Sequence, residues 1–174
     1  MNDSHEIPKK GVKFSYFEPI AGIIFAVAAT VIFLGFPQII TVAFIGGRLI
    51  PTFDEEVIRS LWVPIIIWAV LRIGVEVAYL IERSYTQRLA VISVIGHTLT
   101  AIASIIILVS PRIVYWEYID FIHTYFDDVA AWFGAILAKP NLIILFIMII
   151  VLVIESITVV NKGRKAKSSN SDKT

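Results

Sequence analysis

The sequence predicts an all-α polytopic membrane protein: four transmembrane helices and one amphipathic interfacial helix between spans three and four. Three observations carry this. Of the 174 residues, 57% are hydrophobic and 17% charged, against about 45–50% and about 25% in average soluble domains. The apolar excess gathers into four stretches of the roughly 20 residues needed to cross about 30 Å of hydrocarbon. Lysine and arginine cluster on one side of those stretches, as an even number of spans requires. Mean hydropathy is +0.82.

Taken in order, residues 1–18 form a short polar amino-terminal segment. The first span covers about 19–44 and carries no charge; Pro37 kinks or ends it near its far side. Lys9, Lys10 and Lys13 ahead of an apolar run also suit a signal peptide. The run exceeds the roughly 7–15 residues of a signal h-region, so a retained anchor is expected. The pair Gly46-Gly47 signals a turn. Thr52 to Ser60 reads as a short helix that starts span two early. Thr52 or Asp54 caps it, and Asp54, Glu55 and Glu56 suit a helix amino terminus. The second span covers about 61–81, the third about 89–109, and the fourth about 141–160. Residues 19–161 thus form the membrane domain, and the basic, polar tail 162–174 is expected to be disordered.

The basic residues flanking the spans set the orientation. Lys9, Lys10 and Lys13, then Arg83 and Arg88, then Lys162, Arg164, Lys165 and Lys167 all fall on one side. Arg48, Arg59, Arg112 and Lys139 are spread over two longer loops on the other. Both termini are therefore expected on the cytoplasmic face of a cell membrane. A net charge of +1 gives no bulk attraction to nucleic acid, so the tail lysines read as a topology flank. The absence of cysteine excludes disulfides, thiolate metal sites and a thiol nucleophile.

Residues 113–138 repeat with helical period. Tyr115, Tyr118, Ile119, Ile122, Tyr125, Phe126, Val129, Trp132, Phe133 and Ile136 share one face. Glu117, Asp120, Thr124, Asp127 and Asp128 share the other, with His123 at its edge. Pro111 precedes this helix and Lys139-Pro140-Asn141 ends it. Its aromatic residues, among them Tyr115, Trp116, Tyr118, Tyr125 and Trp132, suit docking in the outer membrane interface, with packing on a soluble partner or on the bundle as the alternative.

Charges inside spans are costly and are functional candidates by default. Arg72 and Glu76 lie four apart on span two and share a face. His97 lies in span three and Glu155 in span four. At about 1.5 Å per residue, Arg72 and His97 sit about 12–15 Å from the cytoplasmic end, and Glu76 and Glu155 about 9 Å. Arg72 is thus neutralised by Glu76, Glu155 or both. The cluster reads as an ion pair tying helices together or side chains snorkelling to the cytoplasmic interface, as a conformational switch, or as a proton or ion relay. Ser93, His97, Thr100 and Ser104 form a polar stripe of the kind that mediates helix packing.

Enzyme signatures are missing. There is no H-E-x-x-H and no G-x-S-x-G. His5, His97 and His123 fall at separate levels and do not converge on a metal. An outer-leaflet site near His123 and Asp120 is the weakest alternative. No catalytic residue, metal or cofactor is implied.

The segment from Phe53 to Pro111 resembles the membrane part of bacterial HAAS-type (DUF1700-like) proteins. The resemblance rests on FDEEVIRSLWVPIIIWAVLRIGVEVAYLIERSYTQRLAVISVI and IIILVSPRI. Its centre is the turn Leu80-Ile81-Glu82-Arg83-Ser84-Tyr85-Thr86-Gln87-Arg88-Leu89-Ala90. The resemblance implies four spans and a sensor role beside PadR-type regulators, with no catalytic motif. Such proteins add a cytoplasmic helical signalling domain, for which residues 1–18 are too short. The expected function is a non-enzymatic envelope sensor or scaffold in contact with the lipid bilayer, with a protein partner at the cytoplasmic turn or tail. The alternative is a small transporter or channel subunit that uses Arg72, Glu76, His97 and Glu155.

Overall fold

The computed structural model describes residues 15–45 and 48–171, without the side chains of 41–49, 127–131, 133 and 166–171. Lys9, Lys10, Lys13 and Gly46-Gly47 lie outside the described residues, as do the side chains of Arg48, Asp127, Asp128, Val129, Phe133 and Lys167. The fold is all-α apart from one small hairpin. Four helices are long and apolar enough to cross a membrane: α1 (Phe17–Gly35), α3 (Trp62–Glu82), α4 (Gln87–Leu108) and the first part of α6 (Pro140–Ser171). A short helix α2 (Glu55–Ser60) precedes α3, and α5 (Trp116–Leu137) joins α4 to α6.

The first span is shorter than the sequence predicts. Its helix stops at Gly35, a 3-10 turn covers Pro37–Ile39, and residues 41–45 form strand β1, which pairs antiparallel with β2 (Arg48–Pro51). Pro37 removes a donor and its ring obstructs continuation of the helix. The β-branched Thr41, Val42 and Ile45 that follow favour an extended chain. Apolar character alone therefore overestimated the helix.

Asp54, not Thr52, caps α2: its carboxylate accepts from Glu56 N at 2.9 Å and Val57 N at 3.0 Å. The backbone of Thr52 does different work. Its N–H donates to Ile40 O and its carbonyl accepts from Tyr115 N. Asp54 N donates to Ile113 O, and Phe53 and Val114 form a bridge. This segment so ties the hairpin, the start of α2 and the entry to α5 together. The Thr52 hydroxyl is buried without a hydrogen-bond partner. α2 and α3 meet at Leu61, whose N–H still bonds back to Val57 O and Ile58 O.

α1 packs on α3, α3 on α4, and α4 on α6, so the middle pair carries most of the core. At the hairpin end, Phe53, Ile58, Ile65, Ile107, Leu108 and Ile113 form one apolar cluster. At the opposite end, around the α3–α4 turn, Val75, Tyr79, Tyr85, Leu89 and Val159 form another. The turn closes with Arg83 in the left-handed region (φ 51°) and Thr86 accepting from Leu89 N as the cap of α4. α3 and α4 approach closely at Gly96, where an added Cβ would strike Val75 Cγ2.

Residues 162–171, expected to be disordered, continue α6 as helix. Nothing in the sequence after Pro140 breaks the helix, and Gly163 packs so closely on the Thr86 carbonyl that an added Cβ would lie 3.3 Å from it. At the other end, Asn141 Nδ2 donates to Leu108 O at 2.7 Å, satisfying one of the open carbonyls at the end of α4.

Removing the true cap should cost stability, and removing the unpaired hydroxyl should not. Asp54→Ala is expected to lower stability by about 0.5–2 kcal/mol. Thr52→Val, which deletes a buried hydroxyl with no partner, is expected to be neutral or stabilising. Thermal unfolding of both variants in detergent checks the pair.

Candidate functional site: a charged cluster in the α1–α6 cleft

Helical spacing sets the first half of the site. Arg72 and Glu76 project from one face of α3, with Arg72 Nη2 3.0 Å from Glu76 Oε1. α6 supplies Glu155, which takes Arg72 in a two-pronged pair, Nη1 to Oε2 at 2.5 Å and Nη2 to Oε1 at 2.8 Å. The planar guanidinium fork matches a carboxylate in this way. α4 supplies His97, whose Nε2 lies 3.4 Å from Glu155 Oε2. All four residues singled out within the spans come together, on three helices. The Arg72 and Glu76 side chains are only 13% and 9% exposed, whereas Glu155 is 33% exposed.

His97 Nδ1 also lies 3.0 Å from Ser156 Oγ, which is 2.7 Å from Leu152 O. One hydroxyl proton serves one acceptor. When Ser156 donates to Leu152, Nδ1 must donate to Ser156, and only a doubly protonated ring can then also donate to Glu155. When Ser156 donates to Nδ1, a neutral ring donates through Nε2–H to Glu155. Rotation of a single hydroxyl therefore accommodates either charge state of His97.

The cluster lines a cleft of about 480 Å³ between α1 and α6. α1 brings Glu18, Gly22 and Phe25 to it at helical spacing. Gly22 lies directly over Glu76: a Cβ there would fall 2.6 Å from the carboxyl Cδ and Oε1. At the mouth, Lys162 Nζ donates to the Tyr85 hydroxyl at 3.0 Å, sits 4.4 Å above the Tyr85 ring centre, and lies 3.6 Å from Glu18 Oε2. The sequence reading missed Glu18, Gly22, Tyr85 and Ser156 as site residues. The available signal was Glu18 and Gly22 four apart at the entry of an uncharged span.

The other residues singled out lie elsewhere. Ser93, Thr100 and Ser104 are buried along α4, and each hydroxyl donates to the carbonyl four residues earlier. On α5, Tyr118 and Ile122 are buried in a cluster with Ile50 and Ala138. Tyr118 donates to Leu137 O at 3.0 Å, and burial pushes its phenol pKa up. Trp116, Tyr125 and Trp132 are exposed and Tyr115 is half-buried. The aromatic residues thus divide between the protein's own body and its outer surface. His123 and Asp120 are exposed. Among the described residues no three His, Cys, Asp or Glu side chains form a group able to hold a metal.

Comparison with protein-family models, curated proteins and solved structures gave no match.

Breaking a buried pair on one side strands the other charge, at about 3–5 kcal/mol. Arg72→Leu is expected to cost about 3 kcal/mol, the low end, because Glu155 is partly exposed. In double-mutant cycles followed by unfolding in detergent, Arg72/Glu155, with two hydrogen bonds, should couple more strongly than Arg72/Glu76. Zero coupling in both cycles would mean that the pairs contribute nothing to stability.

Proposed function

We propose that this chain is a non-enzymatic integral membrane protein of the bacterial envelope, a sensor or scaffold whose conformational state is set at the Arg72–Glu155 cluster. α1, α3, α4 and α6 lie in the bilayer, both termini are cytoplasmic, and α5 rests at the outer interface. The membrane placement is supported by outward apolar side chains on all four long helices, such as Phe25, Val70, Ile106 and Phe146. Soluble monomers rarely expose contiguous apolar patches above a few hundred Å². The one-sided lysines and arginines support the orientation, and the exposed Trp116, Tyr125 and Trp132 support an interfacial α5.

The observation that carries the sensor reading is the position of the cluster. It joins α3, α4 and α6 beneath α1, with its polar mouth at the end where Glu18 and Lys162 lie. Toward the hairpin end only apolar surface is offered, around a space of about 200 Å³ lined by Phe33, Ile65, Ile107 and Leu108 among others. Such a site offers polar access from one side, which suits detection more than passage. The resemblance of Phe53–Pro111 to HAAS-type membrane segments agrees with it. A protein partner then reads the exposed turn at Arg83 and Ser84 or the helical extension of α6. The transporter or channel reading is second, favoured by the cleft's reach to Glu76 and Glu155.

Topology is checked with reporter fusions at residue 174 and next to Phe53. The first is expected to report cytoplasmic and the second external. An external signal from residue 174 would overturn the four-span arrangement.

The choice between sensor and transporter is checked in proteoliposomes. The chain has no cysteine, so spin labels at Cys introduced for Ile24 and Ile150, both exposed, are unique. Glu155→Gln is expected to change the α1–α6 distance distribution, while proton flux in the unmutated chain stays at the level of empty liposomes. A sustained flux abolished by Glu155→Gln would replace the sensor with a transporter.

A further inference from the structure

α6 turns two faces to its surroundings. Glu155, Val159 and Lys162 line the cleft toward α1, whereas Val160, Gly163 and Arg164 line a second groove, of about 470 Å³, against α4. Buried Gly163 and Ala90 form its floor: a Cβ on Gly163 would lie 3.6 Å from that of Ala90. Val91, Val94 and Ile95 of α4, all exposed, wall one side, and Val160 the other. Gln87 and Arg164 stand at one end, where Gly163 meets the carbonyl of Thr86, the cap of α4. From Gln87 to Ile95 the wall runs about 12 Å along the helix.

That end of the groove is basic and no carboxylate lines it. Lys162 is taken up by Glu18 and Tyr85, and Glu82 accepts from the Thr86 hydroxyl. The exposed Arg164 side chain has no ion-pair or hydrogen-bond partner among the described residues. The same holds for Arg88, which shares a helix face with Val91 and Ile95 at i, i+3 and i+7. A groove that is apolar along its length and cationic at the end of the spans has the polarity of an anionic amphiphile: headgroup at the membrane surface, chain beside the helices. An uncharged or cationic lipid leaves both guanidinium groups without a counter-charge. An anionic phosphate supplies it and accepts their paired N–H donors.

We propose that the α4–α6 groove binds an anionic phospholipid of the cytoplasmic leaflet. Its phosphate is met by Arg164 and Arg88, with the Gln87 amide as a further donor, and one acyl chain lies along Val91, Val94 and Val160. The inference rests on the membrane placement and orientation proposed above, and adds to them a lipid that α4 and α6 hold jointly.

The test places a bimane fluorophore on a Cys introduced for Ile157, the sole thiol of the chain. Ile157 is exposed, lies on the same face of α6 as Val160 and Arg164, and does not itself line the groove. The full chain is reconstituted in phosphatidylcholine bilayers. Quenching by dibrominated phosphatidylglycerol is compared with quenching by dibrominated phosphatidylcholine at the same low mole fraction. Phosphatidylglycerol is expected to occupy the site at least about fivefold more, the equivalent of one Lys or Arg acting at a membrane surface. Arg164→Gln combined with Arg88→Gln, both exposed, should lower that preference about threefold or more without disturbing the fold. Val94→Trp keeps every charge but fills the groove, and should lower it as much. Equal quenching by the two lipids, or a preference untouched by the paired arginine changes, would overturn the proposal. So would a preference that survives Val94→Trp, which would mean diffuse attraction to a basic surface, or quenching by neither lipid, which would mean that protein covers the groove. Any of these with the fusion topology intact removes the lipid site and leaves the membrane reading standing.

Discussion

A guanidinium held inside an apolar layer must be met by carboxylate, and much of this structure follows from that. Arg72 is 13% exposed among the helices, and leaving its charge without a partner there would cost about 3–5 kcal/mol. Glu76 alone neutralises its charge but offers only one contact to the fork. Full engagement needs a carboxylate approaching in the plane of the guanidinium, and Glu155 on α6 provides it. That requirement fixes the rotation of α6 about its axis and its height against α3. α4 lies between them, so His97 and Ser156 meet as a consequence.

The remaining packing accommodates this arrangement. Gly96 lets α3 and α4 close over Val75, and Gly22 lets α1 lie directly on the Glu76 carboxyl. The hydroxyls of Ser93, Thr100 and Ser104 bond within their own helix, so they can line a tight helix contact without needing a partner across it. At the hairpin end the constraint is backbone hydrogen bonding. Residues 52–54 lie outside the helices, next to the helix ends, and they find partners in Ile40, Ile113 and Tyr115.

Much of this was legible in the sequence because charge and apolar run length are one-dimensional signals. The helical cores of the four long helices, and the convergence of Arg72, Glu76, His97 and Glu155, follow from run length, i, i+4 spacing and depth. Three features were not legible. The first strand of the hairpin, 41–45, sits in a run as apolar as the helix before it, and only Pro37, the β-branched residues and the Gly46-Gly47 turn signal distinguish the two. The helix over 162–171 passes through a close approach of Gly163 to Thr86, residues far apart in the chain. Glu18 and Tyr85 join the site through Lys162, which the charge pattern had assigned to topology alone.

α6 runs without interruption from Pro140 to Ser171, and Glu155 lies near its middle. The helix beyond Glu155 spans about 24 Å at 1.5 Å per residue. In the proposed sensor such a rod would act as a lever with its fulcrum at the charge pair. A tilt of about 10° there displaces the far tip by about 4 Å, a side chain's breadth, over the same length. The Lys162–Tyr85 bond lies partway along that arm and ties it to the α3–α4 turn. In the proposed sensor, a change of charge or contact at a carboxylate deep among the helices would in this way be read as a displacement at the far end of α6.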